Sequence, residues 1–143
     1  MNTGAGEFSI DQSDSGTLKP IYAFLRFDVD DTIAGKTLDK VTLRLTASNT
    51  AKAASNASGE IWEVEPFTLA SLSTTVPAKQ GNMAISPNQG AVALNQVVNW
   101  SLPKGTVSAN QSVYLGVYPL SSDGTNYWNN DGAAPPQLII DYH

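Results

Sequence analysis

Val41-Thr42-Leu43-Arg44-Leu45-Thr46-Ala47 is the stretch from which the fold is read. Apolar residues at 41, 43, 45 and 47 alternate with Thr42, Arg44 and Thr46, the period of two that sends one set of side chains to a core and the other to the opposite face of a strand. A slip of one residue would turn the whole apolar set outward, so the register is tightly specified. Moving outward, Ala23-Phe24-Leu25-Arg26-Phe27-Asp28-Val29 repeats the pattern, with Leu25, Phe27 and Val29 inward and Arg26 and Asp28 opposite. Ser112-Val113-Tyr114-Leu115-Gly116-Val117-Tyr118 puts Val113, Leu115 and Val117 in the core, leaves Tyr114 and Tyr118 facing out, and stops at Pro119. Weaker strands are expected over 7–10, 59–64, 83–85, 91–94, 97–102 and 137–142, the last after a Pro135-Pro136 pair that cannot lie in a central strand. Stretches 51–58 and 66–72 read as connections, the second with room for one helical turn. About nine short antiparallel strands separated by turn residues predict an all-β, two-sheet β-sandwich of jelly-roll type.

The chain has 143 residues, a formal net charge of −5 and no cysteine. That length makes a single domain, 1–143, and the absent thiols exclude a disulfide scaffold, a cysteine zinc site and thiol catalysis. Only Arg26 and Arg44 are arginines among eight basic residues, an acidic balance that argues against tracking phosphates, so neither nucleic acid nor a membrane surface is expected as partner. No run approaches the ~18 apolar residues of a spanning helix, and Met1-Asn2-Thr3-Gly4 lacks the basic-then-apolar start of a secretion signal. The one histidine, His143, is the last residue, which removes a Ser-His-Asp triad and leaves carboxylates as the proton carriers. A glycosidase pair needs carboxylates ~5–9 Å apart, a spacing that chain position does not show, and no groove-forming helix or long insertion is expected. The chain is read as a non-enzyme.

The strings Tyr22-Ala23-Phe24-Leu25-Arg26-Phe27-Asp28-Val29 and Ile33-Ala34-Gly35-Lys36-Thr37-Leu38-Asp39-Lys40-Val41-Thr42-Leu43-Arg44-Leu45 are similar to the opening of DNRLRE domains. That bacterial and archaeal group is related to the disaggregatase-related repeats and to carbohydrate-binding module family 96. Pro135-Pro136-Gln137-Leu138-Ile139-Ile140-Asp141-Tyr142 resembles its closing strand, and the stretch between follows the expected order without a distinctive motif. Two features depart from the family pattern. The family usually starts with one more strand before an Asn-Tyr-Gly turn, whereas this sequence opens at Asn2-Thr3-Gly4, so that first strand is expected to be missing or shortened, and Tyr127-Trp128-Asn129-Asn130-Asp131 stands where a Ser-Arg-Glu signature is usual. The resemblance implies a noncatalytic jelly-roll module attached to parent catalytic or surface domains of an extracellular or cell-surface protein. It also implies a polysaccharide ligand, alginate for some members.

Sugar rings stack their C–H faces on aromatic planes while their hydroxyls pair with amides, carboxylates and guanidinium groups. Tyr127 and Trp128, with Asn126, Asn129 and Asn130, bring both chemistries into one expected loop, where the alternative use of the rings is to plug the end of the sandwich. Tyr114 and Tyr118, ~14 Å apart along one strand face at ~3.4 Å per residue, form a second candidate platform unless a loop covers them. Arg26 and Arg44 could make a fork for uronic carboxylates or pair with nearby acids. Trp62 and Trp100 keep phase with Val64 and with Val98 and Leu102, and are assigned to the core.

Asp30 and Asp31 after Asp28, and Asp123 with Asn126 and Asp131, are hard oxygen donors of the kind calcium collects in groups of six to eight, although neither set has EF-hand spacing. A structural calcium or plain turn capping would each account for them, and no other cofactor is expected. The leading reading is a module binding an extended polysaccharide, uronic, marine or neutral. A structural stalk or adhesin module assembling through an exposed sheet edge is its rival.

Overall fold

A computed structural model describes residues 6–14 and 17–143; the opening at Asn2-Thr3-Gly4 lies outside the described residues. The architecture is all-β and antiparallel, with eight strands among the described residues: β1 (Glu7–Ile10), β2 (Ala23–Asp28), β3 (Leu38–Thr46), β4 (Glu60–Glu63), β5 (Val97–Leu102), β6 (Ser112–Tyr118), β7 (Thr125–Trp128) and β8 (Gln137–Tyr142). One three-stranded sheet runs β2-β6-β4 and the other β5-β3-β8, while β1 and β7 form a ribbon of their own. Single bridges tie that ribbon to both larger sheets, Asp11 to Ile21 just before β2 and Ala47 to Tyr127 just after β3.

Alternation explains the core. Val41, Leu43, Leu45 and Ala47 are fully buried, and Leu115, Val117, Ile61 and Trp100 meet them from other strands. Of the eight residues at the heart of the expected inner faces, Leu43, Leu45, Leu115 and Val117 are buried, while Leu25, Phe27, Leu138 and Ile140 are half-buried and packed against the same cluster. The second four lie on β2 and β8, edge strands with a neighbour on one side only.

The strand inventory differs from the sequence reading at three places. Stretches 83–85 and 91–94 are not strands: the bridge Ile61–Ser86 falls just after the first, and the second contributes the bridge Ser55–Val92. Each offers too little inward apolar surface to hold a longer ladder: Met83 and Leu94 are exposed and only Val92 is buried. Residues 125–128, read as loop because of the surrounding Asn, Asp and Gly, form β7 instead. Within 66–72 one helical turn does form, α1 (Leu69–Leu72), capped reciprocally by Thr68 and Ser71.

Candidate functional site

Pairing of β7 with β1 decides what becomes of the aromatic pair at 127–128. Phe8 and Ile10 of β1 and Thr125 and Tyr127 of β7 turn into the core, so Glu7, Ser9, Asn126 and Trp128 share the outer face. Tyr127 is therefore not a stacking platform. It is wholly buried, packs edge-on to Trp100, and donates its hydroxyl hydrogen bond to Ser58 O at 2.8 Å. Burial raises its phenol well above the ordinary value of 10.0. Trp128, one residue later, is half-buried and leaves its Nε1 without a hydrogen-bond partner among the described residues. Gly132 lies against the indole, where a Cβ would come 2.7 Å from Trp128 Cε3, so any larger residue would push the ring away.

The polar groups beside Trp128 are already organised. Glu7 is its partner across the ribbon and is 6% exposed. The Glu7 carboxylate accepts from Asn126 Nδ2 at 3.0 Å and from Thr50 Oγ1 at 3.4 Å, and Ser9 Oγ donates to Asn126 Oδ1 at 2.5 Å. Among the described residues, an amide and a hydroxyl are the side-chain donors that hold this carboxylate. Ser9 and Asn126 also border a cavity of about 480 Å³ that Asp11, Lys52 and Asp123 line together with Ile10 and Ile21. Asp11 Oδ1 itself is buried away from solvent, without a hydrogen-bond partner among the described residues. Asn129 is not a free amide: it is buried, donates to Glu7 O at 3.2 Å and accepts from Asp131 N–H at 2.8 Å.

Tyr114 and Tyr118 do lie on the outer face of β6, but they belong to a second apolar layer and do not form an open platform. Residues 65–80 fold over this face and insert Phe67 and Leu72 among Tyr22, Phe24, Trp62, Tyr114 and Tyr118. Tyr118 is 6% exposed and bends over Gly116, where a Cβ would meet its ring at 2.5 Å. Trp62 keeps phase with Val64 as expected, yet both face this layer and not the sandwich interior, whereas Trp100 is in the main core. Lys79 closes the layer with its ammonium 4.2 Å from the ring centroids of both Trp62 and Tyr118.

The remaining sequence candidates are separated. Arg26 on β2 pairs with Asp28 at 2.9 Å, and Arg44 on β3, in the other sheet, donates to Asn99 Oδ1 at 3.0 Å, so they form no common fork. Asp30 caps its own turn by accepting from Thr32 N–H at 2.9 Å, and the Thr32 hydrogen bonds hold its carboxyl below the ordinary value. Asp123 accepts from Asn56 N–H at 3.2 Å, and Asp131 follows the Asn129 turn. Asp31 is exposed beside Asp30. No group of three or more His, Cys, Asp or Glu residues placed to hold a metal ion occurs among the described residues.

Sequence reasoning misses Glu7, Ser9 and Thr50. Their outward phase on β1, and the turn after β3, are readable, but their meeting with Asn126 follows from contacts between residues 76 to 119 positions apart. No protein-family model matches the chain, and it matches none of the curated proteins compared with it.

Proposed function

We propose that the protein is a noncatalytic module that binds an extended polysaccharide on the outer face of the β1–β7 ribbon. The observation that carries this reading is the half-buried Trp128 set beside the Glu7–Asn126–Ser9–Thr50 hydrogen-bond network. One aromatic plane with fixed acceptors and donors at its edge is what a pyranose face and its hydroxyls require. The adjoining cavity extends the surface along which a chain of sugars would lie.

Asp11 and Asp123 line the cavity together with Lys52, Glu7 lies on the adjoining ribbon face, and the whole chain carries −5. This balance favours a neutral glycan over a polyuronate such as alginate. The resemblance of residues 22–45 and 135–142 to DNRLRE domains belongs to the same proposal, as does an extracellular setting beside catalytic or surface domains. Affinity electrophoresis of the folded domain against neutral and anionic polysaccharides tests it. Trp128→Ala should weaken binding by about five- to thirtyfold, a stacking contribution of ~1–2 kcal/mol, with the melting temperature nearly unchanged. Loss of stability with unaltered affinity in the folded fraction would place Trp128 in a purely structural role.

A second reading, a structural module that assembles through a sheet edge, draws on the free edges of β2 and β8.

A further inference from the structure

We propose that β2 is a self-complementary edge through which two copies of this chain join their β2-β6-β4 sheets into one six-stranded antiparallel sheet. The inference rests on the edge-assembly reading and is independent of glycan binding.

β2 has β6 on one side; on the other, the chain after β1 meets it only at the Asp11–Ile21 bridge just before the strand, and no strand among the described residues pairs with residues 23–28 on that side. Val29 N–H donates to Gln111 O, in the same register that pairs Phe27 with Val113 and Leu25 with Leu115. Alternate residues of an antiparallel ladder exchange hydrogen bonds with a given neighbour, so Leu25 and Phe27 spend theirs on β6. Phe24, Arg26 and Asp28 therefore turn their backbone N–H and C=O groups to the free side. The inward side chains on this edge are also incompletely covered: Leu25 and Phe27 are half-buried, whereas their partners Leu115 and Val113 are buried. Beside them an opening of about 330 Å³ separates β2 from β8, lined by Phe27, Val29, Leu138 and Ile140 among others.

Charge picks the occupant. A second β2 laid antiparallel with Phe27 on the twofold axis brings Arg26 of each copy opposite Asp28 of the other, and both residues belong to the set whose backbone groups are free. The register with Arg26 on the axis would instead oppose two guanidinium groups, and like charges directly opposite are destabilising. Natural edges are often blunted by charged side chains; here the two exposed charges are opposite, are held to each other and to Ser112 of β6, and lie at the positions that a twofold exchanges. Leu25 then faces Val29 of the other copy, and Phe27 faces its own counterpart, each on the inner side.

Sedimentation equilibrium of the folded chain over a concentration series tests this, with circular dichroism to confirm the fold of each variant. The wild type should associate to a dimer. Arg26→Asp and Asp28→Arg, each of which opposes like charges, should each weaken the dimer by about tenfold or more. The double exchange should restore association. An equimolar mixture of the two single variants should also associate, since each supplies the charges the other lacks; neither single variant retains the intrachain pair, so a restored internal salt bridge cannot explain that result. A dimer indifferent to all these exchanges would overturn the β2 pairing while leaving edge assembly through β8 standing. A monomer at every concentration would remove both.

Discussion

Residues 127 and 128 differ less in chemistry than in phase. Tyr127 gives its ring to the core and its hydroxyl to Ser58 O, while Trp128 meets Glu7 across the outer face. Tyr127→Phe should cost about 0.5–1.5 kcal/mol, because Ser58 O loses its donor in a buried place, and denaturant unfolding reads it directly. Alkaline pH adds a second test. Burial raises the folded-state pKa of Tyr127 above the ordinary 10.0, so the stability it contributes is complete below that pH and is lost as pH rises beyond it, when the unfolded chain gains a phenolate that the folded chain resists. Phenolate absorbance from this residue should therefore appear together with loss of the circular dichroism signal of the fold. Ionisation of all five tyrosines in a still-folded protein would contradict its burial. Asp28 runs the other way: bonds from Ser112 and Arg26 lower its pKa, so acid weakens these contacts only as pH falls through that depressed value.

At the scale of elements, the β1–β7 ribbon links the two larger sheets and carries the proposed glycan surface, and the 65–80 segment covers the aromatic layer outside β6. Lys79 holds the end of that segment to the sheet through its two ring contacts and a bridge to Val64. Lys79→Ala should lower stability by about 0.5–2 kcal/mol and loosen the segment before the sandwich melts, visible as faster amide exchange around Leu72 than in β3. Unchanged exchange there would show that Phe67 and Leu72 suffice to anchor it. Glycan affinity at Trp128 should not respond, because the two sites lie on different sheets.

For the whole molecule, a noncatalytic role makes a definite expectation: no turnover of neutral or uronic polysaccharides by the folded domain, checked by reducing-end release and by unsaturated-product absorbance. Turnover abolished by Glu7→Gln or Asp11→Asn would reassign the outer face of the β1–β7 ribbon and its adjoining cavity to catalysis. The all-β antiparallel class, the inner faces of β3, β5 and β6, and the core place of Trp100 are legible in the sequence, because alternation of period two is local and a slip would expose Val41, Leu43 and Leu45 together. The outward side chains carry no such signature. Whether an outward residue stays in solvent, enters a second layer as Tyr118 and Trp62 do, or joins a network as Glu7 and Asn126 do depends on which distant strand or loop lies beside it. Tyr127 and Trp128 show this most simply: both are aromatic and adjacent, and only the pairing of Phe8 with Tyr127 and of Glu7 with Trp128, contacts made across almost the full length of the chain, sends one to the core and the other to the surface.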